Sequence, residues 1–266
     1  MRMIGYIMAL ISVLAGVGGW FLRRLEVATA FDPISGLPQA GAGVSVLLIF
    51  VSLGVVALLF GLSFVLPKKE MPSFADAFGG SVFFTIPLTL FGLIILGLSG
   101  LEFFALGMTE NLDGFVAARL IAGVFAGLCL ILTAIRGYRG SNVAISSAVP
   151  VFWLCIWLIV GHIDRAADPV LLRYVYQLFA LAALLLALYY IASFAFRQSR
   201  PGRMMFCSSV AIYFTGVTMA DEMLLGTRFT LLALAATVLI YQLALLHNFR
   251  RFTWKDTPYM ERDLGE

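Results

Sequence analysis

The sequence predicts an all-α polytopic transmembrane bundle of eight spans with both termini cytoplasmic. Three observations carry that prediction. Hydrophobic residues make up 61% of the 266 positions and charged residues only 12%, with a mean hydropathy of +0.98, whereas a soluble domain is about a quarter charged. So little polar surface cannot cover a water-soluble globule. Apolar runs of about 20 residues, the length that crosses the hydrocarbon core, recur at 3–22, 43–66, 79–101, 114–135, 144–163, 171–196, 204–220 and 229–249. The basic residues also sort by loop. With the N-terminus inside, Arg2, Lys68, Lys69, Arg136, Arg139, Arg197, Arg200, Arg203, Arg250, Arg251, Lys255 and Arg262 are cytoplasmic, and only Arg23, Arg24, Arg119, Arg165, Arg173 and Arg228 are outside. This is the positive-inside bias. It places the chain in a bilayer, with short loops that fit a bacterial plasma membrane, and gives its net charge of +3 no nucleic-acid reading.

The first span, "MRMIGYIMALISVLAGVGGW", has the early Arg and small C-terminal residues of a leader. Trp20, Phe21 and Arg23–Arg24 follow it, however, and seven more spans come after, so it reads as an uncleaved anchor. Arg23–Arg24 break the charge rule and are expected to snorkel along the helix end or pair with outer acids. The loop "VATAFDPISGLPQAGAG" (27–43) reads as a rigid lid. Pro33 extends Asp32, Asp32 caps an Asx-type turn at Ser35, Gly36 closes it, Pro38 stiffens the exit, and Phe31 and Leu37 dip toward the bundle. The second span ends in basic "PKKEMPSF". The third carries Pro87, expected to kink it, and the hydroxyls Ser81, Thr85, Thr89 and Ser99. Gly123 and Gly127 on the fourth, and Ala183 and Ala187 on the sixth, are small-residue pairs that let helix backbones approach inside the bundle. Pro150 falls in the first turns of the fifth span, where proline is tolerated. The seventh is again hydroxylic, with Ser208, Ser209, Tyr213, Thr215 and Thr218. Trp20, Tyr174, Tyr176, Trp254 and Tyr259 read as interface anchors.

The eight spans form one integral domain, 1–266, with a suggestion of two parallel four-helix halves, 1–140 and 141–266. Each half has Asp-Pro in its first loop, a basic Pro-containing second loop, a third helix opening Phe78-x-x-Ser81-Val82 or Phe206-x-x-Ser209-Val210, and an acidic third loop with Gly.

Chemistry concentrates on the outer side, where charges of both signs sit at helix ends. Glu102, Arg119, Asp164, Arg173, Gln177, Asp221 and Glu222, with Asp32 in the lid, are the candidate ligand-binding residues. Charges at that depth must pair or face water, and Arg offers bidentate contacts to carboxylate or phosphate. The same charges also suit a purely structural clamp. If the third and seventh spans face each other, their hydroxyls line a polar path, although Ser and Thr in helices commonly bond the carbonyl four residues back.

His162-x-Asp164 is too sparse for a metal site, and His247 belongs to a helix end. Two histidines in all argue against haem. The last span has no Lys for a Schiff base, and Cys129, Cys155 and Cys207 fall in different spans, so no disulfide framework is expected. No nucleotide-binding, metalloprotease, serine-hydrolase or Cys-x-x-Cys motif occurs. The expectation is a non-enzymatic protein without cofactor or metal, a binder or permease for a small polar or anionic solute. Its alternatives are a membrane scaffold or partner subunit, and an integral lipid-modifying enzyme.

Overall fold

The computed structural model describes residues 2–32, 37, 39, 42–66, 73–108, 113–163, 170 and 174–248. The helices are α1 (Arg2–Thr29), α2 (Gly43–Ser63), α3 (Phe74–Phe78), α4 (Val82–Met108), α5 (Gly114–Tyr138), α6 (Ala144–Ile163), α7 (Val175–Ser193), α8 (Pro201–Thr218) and α9 (Leu225–Asn248), with a 3-10 turn at Phe194–Phe196. Seven of them are long and apolar enough to cross a membrane, which makes the chain a multi-pass membrane protein. The eighth long helix, α8, falls short of that set. It has 18 residues, of which 14 are buried, because α1, α2, α7 and α9 all pack around it. A helix enclosed by protein has no need of a lipid-compatible surface, so it can carry Ser, Thr and Tyr.

The long helices alternate in direction. α4, α5, α6, α7, α8 and α9 each pack on the next, and α9 returns to α4, closing a ring of six. α1 and α2 lie outside the ring against α8, with α1 also touching α9. The two sequence halves therefore pack differently. α6 to α9 are continuous, whereas the principal partners of α1 and α2 are each other, α8 and α9 rather than α4 and α5. The matched openings also fall on different structures. Phe78 ends α3 and Ser81 precedes α4, while Phe206 and Ser209 lie inside α8.

Several boundaries move for identifiable reasons. α1 continues to Thr29 instead of ending at 22 because Arg23 and Glu26, which look like a helix-ending charge cluster, are buried and paired within it. The third span starts at Val82 rather than 79 and runs on to Met108. Before it, Gly80 takes φ 79°, a left-handed conformation favouring glycine, and separates off the short α3. Ser73 caps α3, its Oγ accepting from the Asp76 amide at 3.2 Å. At α5 the chain is closed by Gly140 at φ 70°, with the Ser141 amide donating to the Arg136 carbonyl at 2.9 Å, a Schellman-type stop.

Small residues set the closest seams. A Cβ at Gly127 would lie 2.7 Å from the Leu96 amide, and one at Gly123 2.5 Å from Ser99 Oγ, so the Gly123/Gly127 pair serves internal α4–α5 packing. A second seam, between α1 and α8, was not anticipated from sequence: a Cβ at Gly216 would meet Gly16 Cα at 2.8 Å. Pro87 and Pro150 sit inside α4 and α6 without ending either.

Candidate functional site

The two ends of the bundle differ sharply in how they hold their charges. At one end all of Arg136, Arg139, Arg197, Arg200 and Arg203 are exposed. At the other, mixed-charge end, Arg23, Arg119 and Arg228 are turned inward and engaged.

Arg119, in the second turn of α5, donates from Nη2 to Glu102 Oε1 of α4 at 2.9 Å, and the two side chains are only 12% and 11% exposed. The guanidinium also lies over the Trp157 ring of α6, 5.3 Å from its centroid, a cation–π contact. Trp153 Nε1 donates to the Arg119 carbonyl at 3.1 Å. The base of α9 closes on the pair from the other side, where a Cβ at Gly226 would stand 3.0 Å from Glu102 Oε2. Arg119 Nε is buried and has no partner among the described residues.

This pair forms one wall of a cleft of about 410 Å³ at the mouth of the ring. Five of the six ring helices contribute: Glu102 and Leu106 from α4, Val116 and Arg119 from α5, Trp157 and Val160 from α6, Gln177 and Leu181 from α7, and Thr227 from α9. Mostly apolar walls with a few convergent polar groups are the usual make-up of a small-molecule site. The cleft is one-ended. Beneath it Ile95, Leu130, Leu154, Leu184 and Leu234 fill the ring. At the basic end α3 acts as a plug, packing on α5 and α9. Phe78 lies 5.1 Å from Tyr241 and 5.0 Å from Phe194 between ring centroids, and Asn248 Nδ2 donates to the Ala77 and Gly79 carbonyls at 2.9 and 3.1 Å.

A second cluster sits beside the first, on the α1–α8 side. Arg23 donates from Nε to Asp221 Oδ1 at 2.6 Å and from Nη1 to Glu26 Oε2 at 2.7 Å, with its guanidinium 4.9 Å from the Tyr176 ring centroid. All four residues are buried. Arg228 Nη2 donates to the Asp221 carbonyl at 3.0 Å. Tyr176, expected as an interface anchor, is therefore a buried partner of Arg23. It precedes Gln177 on α7, so one turn of helix borders both clusters.

The predicted site residues thus divide. Glu102, Arg119 and Gln177 share the cleft. Asp221 belongs to the Arg23 cluster, and Glu222 beside it is exposed. Asp32 is half-exposed in the loop after α1, its amide donating to the Leu37 carbonyl at 3.0 Å, and the described loop residues do not line the cleft. Leu37, expected to dip inward, is 52% exposed. Asp164 and Arg173, like the Ser35 turn, lie outside the described residues. The hydroxylic helices α4 and α8 do not line a common path, since α9 packs between them. Thr85 and Thr89 bond carbonyls four residues back. Ser52 shares a hydrogen bond with Tyr213 at 2.8 Å, and Ser209 accepts one from Gln242 at 3.0 Å. Arg23's misfit with the charge rule was the available signal for the second cluster. Glu26, Trp153 and Trp157 carried none, because a carboxylate beyond an apolar run and tryptophans within one look ordinary.

The fold and these two clusters define a class: a multi-pass helical membrane protein with a mostly apolar cleft, carrying an Arg–Glu pair, at the mouth of a six-helix ring. No family model, curated protein or solved structure matches the chain. Among the described residues no group of three or more His, Cys, Asp or Glu is placed to hold a metal.

Proposed function

We propose that the protein binds a small polar solute carrying an anionic group in the cleft beside Arg119, on the outer face of the membrane. The observation that carries this reading is that Arg119 and Glu102 line a mostly apolar cleft of about 410 Å³. A guanidinium at the wall of such a cleft is a matched partner for an anionic ligand group. The guanidinium is already held by Glu102 and Trp157, so its orientation is set before the ligand arrives and little entropy is lost on binding. Glu102 disfavours a bare anion and favours a ligand that also offers a donor, as a zwitterion does. The apolar walls from Val160, Leu181 and Leu106 suit a compact hydrocarbon portion. With the cleft closed below by core and plug, binding is favoured over passage in this conformation. Outward orientation of the mixed-charge end follows from the exposed arginines at the other.

The test is a thermal-unfolding screen of the purified protein in detergent against amino acids, dicarboxylates and phosphate. A hit raises the midpoint in the wild type by RT ln(1 + [L]/Kd) worth of stability, and Arg119→Gln abolishes the shift. Should no member of these classes move the wild-type midpoint, the binding reading fails. A structural reading then stands, in which Arg119 and Glu102 clamp α4, α5, α6 and α9 together in a scaffold or partner subunit. The specific observation favouring it is how closely Gly226 and Trp153 lock around the pair.

A further inference from the structure

A second opening lies at the basic end, outside the ring and independent of Arg119. Between the end of α2 and the start of α8 is a cleft of about 530 Å³. Its walls include Phe60 of α2, Phe64 just past its end, and Phe206 of α8. Phe60 stands edge-on to both others, at centroid distances of 4.7 and 5.5 Å, and Phe60 and Phe64 are 51% and 60% exposed. At its rim are Arg200 and Arg203. Both are exposed, and among the described residues neither makes an ion pair and no carboxylate lines the cleft.

Each half of this arrangement alone would be unremarkable. Exposed phenylalanines face lipid on any membrane helix, and exposed arginines at a helix end form a solvated rim. Together they make one concave surface that is aromatic toward the bilayer interior and doubly cationic at the level of the helix terminus, where lipid headgroups lie. The matching occupant is an amphiphile with a negative head and a hydrocarbon tail. Arg binds phosphate oxygens with two parallel donors, and basic pockets between membrane helices recognise anionic lipid heads. We propose that this cleft seats an anionic glycerophospholipid, its phosphate held by Arg200 and Arg203 and one acyl chain lying against Phe60 and Phe206.

The experiment titrates the purified full chain in neutral detergent with phosphatidylglycerol or phosphatidylcholine of identical acyl chains, reading bound lipid by native mass spectrometry. Two headgroup-level arginines predict a preference for phosphatidylglycerol on the order of tenfold. The Arg200→Gln/Arg203→Gln double variant loses the preference, while Arg200→Lys/Arg203→Lys keeps most of it. Phe60→Ala weakens both lipids alike. Both arginines are exposed, so the double variant folds, which its unfolding midpoint verifies. Equal binding of the two lipids by the wild type, or a preference that survives in the double Gln variant, overturns the proposal. So does displacement of phosphatidylglycerol by millimolar inorganic phosphate, which would make the site one for a free anion.

Discussion

Arg23 and Arg24 are adjacent in sequence and opposite in consequence. Arg24 is exposed, with its guanidinium 5.5 Å from the Trp20 ring centroid, a contact worth under about 1 kcal/mol at a surface. Arg23 is 1% exposed and bridges two buried carboxylates from different parts of the chain. Removing it leaves Glu26 and Asp221 buried together without their shared cation, and breaking a buried pair in this way costs about 3–5 kcal/mol. Arg23→Met is therefore expected to lower the unfolding midpoint in detergent strongly, and Arg24→Met hardly at all. Similar losses from the two variants would contradict the burial of Arg23. The sequence distinguished these arginines only faintly. The helical spacing of Arg23 and Glu26 was readable, but which face turns inward depends on α8 lying alongside.

At the scale of helices, glycines separate into those that make a seam and those that do not. Gly127 sits where a Cβ would be 2.7 Å from the backbone of α4, and Gly216 where it would be 2.8 Å from the backbone of α1. Gly54 in α2 has nothing within 4 Å. Backbone cannot yield as a flexible side chain does, so Gly127→Leu and Gly216→Leu are expected to destabilise by about 1–3 kcal/mol or more. Gly54→Ala is expected to be neutral or to stabilise by up to about 1 kcal/mol through helix propensity. Unfolding midpoints of the three variants check this ordering. Sequence spacing marked Gly123 and Gly127 as a pair, because both lie on one helix four residues apart. Gly16 and Gly216 lie on helices far apart in the chain, and spacing along one helix does not say which other helix it meets. α8 illustrates the same limit from another side. Its hydroxyls suggested a polar path facing α4, whereas the interposed α9 instead brings Gln242 to Ser209.

For the molecule as a whole, alternating helix directions place Glu222 and Asn142, both exposed, at opposite ends. In a background lacking Cys129, Cys155 and Cys207, a membrane-impermeant maleimide is expected to label Glu222→Cys on intact cells and Asn142→Cys only after lysis. The reverse pattern would invert the orientation and move the Arg119 cleft to the cytoplasmic side. The sequence by itself determined that this chain is a helical, multi-pass membrane protein, because hydrocarbon demands long apolar segments with internally satisfied backbones. It also marked Glu102, Arg119 and Gln177, since polar groups near the ends of apolar helices are costly wherever they point. Only the tertiary structure decided that these three share one cleft while Asp221 joins Arg23 and Glu26, that α3 stops the opposite end, and that α1 and α2 stand outside the ring. Those outcomes depend on which helix is neighbour to which. Hydropathy is high along each of the seven apolar helices and does not encode adjacency; the fit of small residues and the pairing of buried charges across helices do.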